Sequence, residues 1–200
     1  MNKGRLEALS DGVFAIIITI MVLELAPPHE ATLAALGPLL PTFLSYVLSF
    51  AFVGIYWNNH HHLLQASKQV DGRVLWANLH LLFWLSLIPF VTAWMGENEF
   101  KAWPVALYGI ILVGAGTAYF LLTRALVLLH GPESVLATAI GTDLKTKISA
   151  VILLIVIPLA FVNSWLACLL YVGLTVLWFL PDRRIETTLV RKTDAGQEVR

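Results

Sequence analysis

Six nearly uninterrupted apolar stretches, most of them about twenty residues or more, dominate the sequence and decide what the chain can become. They run from about Arg5 to Leu25, Pro38 to Leu64, Arg73 to Trp94, Pro104 to Leu129, Leu144 to Val162 and Trp165 to Leu180. A helix needs about 20 residues to cross ~30 Å of hydrocarbon. The runs are continuous rather than alternating, which argues against a transmembrane barrel. Proline punctuates them: Pro27–Pro28 stop the first, Pro104 suits the first turn of the fourth, and Pro181 follows the sixth. Only Asn163–Ser164 separates the last two, which predicts a tight helical hairpin. Of 200 residues, 58% are hydrophobic and 13% charged. A water-soluble domain of this size cannot bury that much apolar surface, so lipid must solvate the remainder. The expectation is an all-α membrane protein with a six-helix domain over residues 1–181 and a polar tail over 182–200. The first stretch opens with Arg5, Glu7 and Asp11 and has no clean small-residue cleavage site, so it reads as a retained helix.

Lysine and arginine give an orientation. Lys3, Arg5, Lys68, Arg73, Arg124, Lys145 and Lys147 fall on one side of the six spans, with Arg183, Arg184, Arg191, Lys192 and Arg200 in the tail. Only Lys101 falls on the other side. The positive-inside rule places both termini in the cytoplasm of a cell-membrane protein. Glu24, Glu30, Glu97 and Glu99 make the opposite side mildly acidic, as a cation-attracting face or a merely solvated rim. The formal net charge is zero, and nothing in its distribution points to nucleic acid. A single cysteine, Cys168, excludes an intrachain disulfide and a thiolate metal cage, and reads as a small buried apolar residue. Most of the seven tryptophans lie near predicted helix ends, where they anchor to the interface. Trp57 and Trp76 instead neighbour polar residues and are candidate indole donors inside the bundle.

Polar groups within membrane helices need partners or a purpose. The first helix carries Arg5, Ser10 and Asp11, then an apolar run in which Ile16, Thr19, Ile20 and Leu23 share a face at i, i+3, i+4, i+7 spacing. Asp11 lies five residues before Ile16, roughly 140° around the helix. From spacing alone, the Ile16 stripe is packing against lipid or bundle. Segment two ends Trp57-Asn58-Asn59-His60-His61-His62. Adjacent histidines diverge by about 100° and cannot chelate one ion together, so no metal site is expected. The better reading is a hydrogen-bond network joining Arg5, Ser10 and Asp11 to Trp57, His60 or His61, Trp76 and Asn78.

These residues resemble the transmembrane protein 175 family of potassium channels. The run Arg5-xxx-Leu9-Ser10-Asp11, with Leu9 where the family usually has phenylalanine, is similar to its first-helix signature. Trp57-xx-His60-His61, Trp76-x-Asn78 and Pro89-Phe90 also resemble the family pattern. The resemblance implies a homotetramer around a central pore lined by the first helix. It places a hydrophobic constriction at Ile16, with Ile20 and Leu23 further out, and a role in cation preference at Thr19. It puts the Arg–Ser–Asp motif behind the pore. It further implies monovalent cations as the permeant partners, potassium above all, with no cofactor and no enzymatic activity. The sequence contains no TVGYG-type loop to supply a carbonyl filter. The alternative is a secondary transporter for a cation or small solute, for which Pro89 and Pro158 supply candidate helix breaks. A membrane enzyme built on the histidines is a weaker rival, because their spacing suits no metal.

Overall fold

A computed structural model describes residues 3–131, 134 and 144–179. Helix α1 spans Lys3–Leu23, and a 3-10 segment over Leu33–Leu39 leads into α2, Leu40–Gln65. Then follow α3 (Gly72–Ser86), α4 (Ile88–Glu97), α5 (Ala102–His130), α6 (Leu144–Val162) and α7 (Ser164–Phe179). No strand occurs among the described residues. Five spans are long and apolar enough to cross a membrane: Lys3–Leu23, Leu33–Gln65, Gly72–Glu97, Ala102–His130 and Lys145–Val162. The apolar α7 makes the sixth segment, with 16 described residues. The chain is thus a multi-pass, all-α membrane protein, and the tail over 182–200 lies outside the described residues.

The third segment is two helices rather than one. Pro89 has no N–H, so the carbonyl four residues before it loses its helical donor. The last turn of α3 tightens, with Leu87 N donating to Trp84 O at 3.2 Å, and α4 restarts with Val91 N donating to Leu87 O at 3.3 Å. Pro158 has no such effect and sits inside a continuous α6.

Helix α5 is the spine, packing against α3, α4, α6 and α7. Small residues permit close approach: Ala115 and Ala118 are fully buried, and the Trp84 ring fills the space a side chain at Gly114 would occupy. Three contacts gather the basic loops at one end. Lys3 Nζ donates to Leu64 O (3.0 Å) and Ser67 O (3.2 Å), tying the start of α1 to the end of α2. His130 Nε2 accepts from Lys68 N at 3.0 Å, tying the end of α5 to the α2–α3 loop. Trp178 Nε1 donates to Ser149 Oγ (2.9 Å), joining the end of α7 to the start of α6 beside Lys145 and Lys147. At the opposite end the α4–α5 turn holds Glu99 and Phe100 in the left-handed region, at φ 49° and 59°. Burial of the Phe100 ring against Trp165, centroids 5.2 Å apart, offsets that strain.

Candidate functional site: the first helix and its polar anchor

Helix α1 has two unlike faces. Leu6, Ser10, Phe14, Ile17 and Met21 are buried at three- and four-residue spacing. Ile16 (57%), Ile20 (42%) and Leu23 (77%) are exposed, and so is Thr19. At roughly 100° per residue, Ile16, Thr19 and Leu23 point some 120–180° away from the mean direction of the buried set. The Thr19 hydroxyl donates to Ile16 O at 2.9 Å, which leaves its lone pairs facing outward.

A chain of hydrogen bonds holds the buried face. Ser10 Oγ donates to Leu6 O (2.8 Å), Asn78 Nδ2 donates to Ser10 Oγ (3.0 Å), and Asn78 Oδ1 lies 2.7 Å from His60 Nε2. Because the amide nitrogen of Asn78 faces Ser10, its oxygen faces His60, and His60 Nε2 must be the donor. The relay therefore runs one way, from His60 on α2 through Asn78 on α3 to Ser10 and Leu6 on α1. All three side chains are almost fully buried, and the Phe14 ring closes over His60 at 5.6 Å. A buried polar group left unpaired in lipid is costly, so this fully paired relay fixes both the position and the rotation of α1.

Beside the relay, Trp57 Nε1 donates to Asp11 Oδ1 at 2.9 Å, and His61 stacks on the Trp57 indole, centroids 5.7 Å apart. Both partners of the Trp57–Asp11 bond are exposed on the protomer surface, unlike the relay. Five of the residues expected in one network thus form two linked pieces: Ser10–Asn78–His60 and Asp11–Trp57. His61 joins by stacking alone.

Arg5 and Trp76 stand apart. Arg5 is exposed and has no hydrogen-bond or ion-pair partner among the described residues. The reason is angular. Arg5 precedes Ile16 by eleven residues, three helical turns, so it falls on the Ile16 face within roughly 20°. It precedes Ser10 by five residues, which turns it roughly 140° away from the relay. Trp76 is 75% exposed and points out of the bundle, two residues before the buried Asn78 and so roughly 160° around α3.

The sequence did not disclose a second polar cluster, nearer the other end. Thr92 Oγ1 on α4 lies 2.7 Å from Ser49 Oγ on α2, and Ser49 Oγ donates to Tyr108 OH on α5 at 3.0 Å. The signal was weak, since single hydroxyls in three separate apolar runs look alike until the fold brings them together. Among the described residues, no three His, Cys, Asp or Glu side chains converge as a metal site.

The comparisons with known proteins agree with this architecture. The family model "Endosomal/lysosomal potassium channel TMEM175" matches residues 5–89, the stretch that holds α1, the relay and the α3–α4 break. A protein from Chryseobacterium sp. (strain P1-3), named as a potassium channel, is 50% identical over 189 residues, covering 94% of this chain and 98% of its own length. One from Streptomyces collinus, also named as a potassium channel, is 37% identical over 128 residues, covering 60% of this chain and 62% of its own. Among solved structures, the lysosomal potassium-selective channel TMEM175 homolog from Chamaesiphon minutus superposes with a TM-score of 0.77 at 27% identity, over 89% of this chain and 96% of that one. With a near full-length relative at half identity and the family's first-helix motif folded into a working anchor, the chain belongs to the TMEM175 family.

Proposed function

We propose that the protein is a potassium-permeable cation channel, in which four copies meet around an axis and α1 of each copy lines the pore. One observation carries this reading. Arg5, Leu9, Gly12, Ile16, Thr19 and Leu23 follow a 4-3-4-3-4 spacing, the seam of a parallel helix bundle, and that seam lies outside the protomer's own core. Its small Gly12 and polar Thr19 suit an approach between helices better than a lipid surface. The near full-length Chryseobacterium relative, named as a potassium channel, supports the same reading.

In such a pore Ile16 forms the narrowest apolar ring, with Ile20 and Leu23 continuing it outward. An apolar ring has no oxygen to replace an ion's hydration water, so it closes the path by dewetting. Opening requires the α1 helices to separate enough for a hydrated or partly hydrated ion to pass. The outward lone pairs of Thr19 supply a ring of weak acceptors next to the constriction, which gives a modest preference for potassium over sodium. The end that gathers Lys3, Lys68, Arg73, Lys145 and Lys147 faces the cytoplasm, with the termini on that side. The test is bilayer recording of purified protein under a potassium gradient. Wild type should carry current that reverses toward the potassium equilibrium potential, and Ile16→Asn should raise open probability or conductance by wetting the ring. Absent current, or current indifferent to Ile16→Asn, would remove Ile16 as the constriction. Uptake against a gradient in vesicles would favour a carrier instead.

A further inference from the structure

We infer that a flank of the bundle to which α1 contributes no lining residue binds a membrane phospholipid with an anionic head group, one acyl chain of which enters a cavity between α2, α5, α6 and α7. The cavity measures about 480 Å³, within the range of small-molecule sites. It runs along α5 from Leu112 to Phe120, about 12 Å at 1.5 Å per residue. Its chemistry changes along that length. Phe52, Leu112, Leu153 and Leu174 line the inner end, which is mainly apolar, whereas Asn59, Lys147 and Trp178 line the end nearer the basic loops.

Three arguments identify the occupant. The apolar inner end offers water few partners, so it stays dry or takes up hydrocarbon. Phe120 (49%) and Leu154 (60%) at its rim are exposed, so the cavity opens sideways at membrane depth, where acyl chains are the available hydrocarbon. The exposed Lys147 ammonium stands at the polar end, and among the described residues no carboxylate lines the cavity, so a phosphate-bearing anionic head is the complementary charge. Gly116 in the wall keeps the space open, since a Cβ there would meet only the Tyr56 hydroxyl, at 3.6 Å. The site does not depend on the pore reading, because it uses none of the α1 seam.

Native mass spectrometry of the purified full chain tests it, with added phosphatidylglycerol, phosphatidylcholine or inorganic phosphate. Wild type should retain phosphatidylglycerol adducts at activation energies that strip phosphatidylcholine, and inorganic phosphate should give none. Gly116→Phe and Ala150→Leu fill the cavity from different helices and should each abolish the retained adduct while thermal melting stays within a few degrees. Lys147→Gln should lower the preference for the anionic lipid about fivefold, the share of one lysine near a charged leaflet. Adducts undiminished in a folded cavity-filled variant would overturn the site. Equal retention of both lipids by wild type would overturn the head-group assignment, and phosphate adducts lost with Lys147→Gln would reassign the site to a free anion.

Discussion

If the relay sets the stability of the α1 anchor, breaking its middle member should cost more than breaking its end, and the two losses should not add. Asn78→Ala removes both the 2.7 Å contact to His60 and the 3.0 Å contact to Ser10, and leaves the buried His60 N–H without an acceptor. An orphaned buried donor costs about 1–3 kcal/mol, and an interhelical bond in a membrane protein averages roughly 0.6 kcal/mol. The sum is about 2–4 kcal/mol. Ser10→Ala loses one interhelical bond and leaves the Asn78–His60 contact intact, so it should cost about 1 kcal/mol. Because both variants delete the same Ser10–Asn78 bond, the double variant should fall short of the sum by roughly 0.5–1 kcal/mol. For a chain of this length 1 kcal/mol moves the melting temperature by about 2–4 °C, so Asn78→Ala should melt about 4–16 °C lower.

The assay is thermal melting in one detergent, followed by tryptophan fluorescence and by the monodisperse fraction on gel filtration. Trp76→Phe is the internal control, since Trp76 is 75% exposed and outside the relay, and should shift melting by less than about 2 °C. The reasoning fails if Trp76→Phe costs as much as Asn78→Ala, or if the Ser10 and Asn78 losses simply add.

The remaining predictions concern other parts of the molecule. Thr123 Oγ1 is buried with no hydrogen-bond partner among the described residues, so the isosteric Thr123→Val should raise the melting temperature by about 2–4 °C, the return of roughly 1 kcal/mol. Gly114→Ala puts a methyl group into the Trp84 ring and should cost about 1–3 kcal/mol, whereas Gly54→Ala, with nothing within 4 Å of its Cβ, should not; parallel melts decide it. Under the proposed pore, Arg5 sits on the seam at the cytoplasmic mouth and repels entering cations. Arg5→Gln should therefore raise potassium conductance more at low than at high ionic strength, since salt screens such a charge within about 10 Å at 0.1 M.

Much of this architecture was legible in the chain, for reasons that differ between its parts. The six segments were readable because lipid imposes a length and forbids unpaired backbone, so each apolar run had one solution. Ser10, His60 and Asn78 stood out because polar groups in such runs are expensive. Which of them bonds to which was not readable, because pairing depends on the rotation of three helices relative to one another. Arg5 shows the limit most clearly. Nearness in the motif grouped it with Ser10, while helical geometry put it on the opposite face. The break at Pro89 and its absence at Pro158 could not be told apart by residue type, since both prolines remove a donor. The Thr92–Ser49–Tyr108 cluster stayed hidden because none of its hydroxyls is costly enough alone to attract notice.

The division of labour in α1 has a physical cause that goes beyond this motif. In lipid, apolar side chains gain little by packing on one another rather than on acyl chains, so Phe14, Ile17 and Met21 can fill the interface without fixing how α1 is turned. The relay supplies what they lack, because its bonds are directional and each has a unique partner. A rotation of α1 by one residue, roughly 100°, would point Ser10 away from Asn78 and orphan two buried groups at once. The same rotation would carry Ile16 off the seam and bring Ile17 or Ala15 toward it. The polar anchor thus determines which side chains α1 presents outward, and under the proposed pore it determines what an ion meets. Loosening the relay should therefore alter conduction even where the protein still folds: in Ser10→Ala, single-channel records should show more conductance substates than wild type, whereas conduction unchanged in a measurably destabilised Ser10→Ala would separate the anchor from the pore.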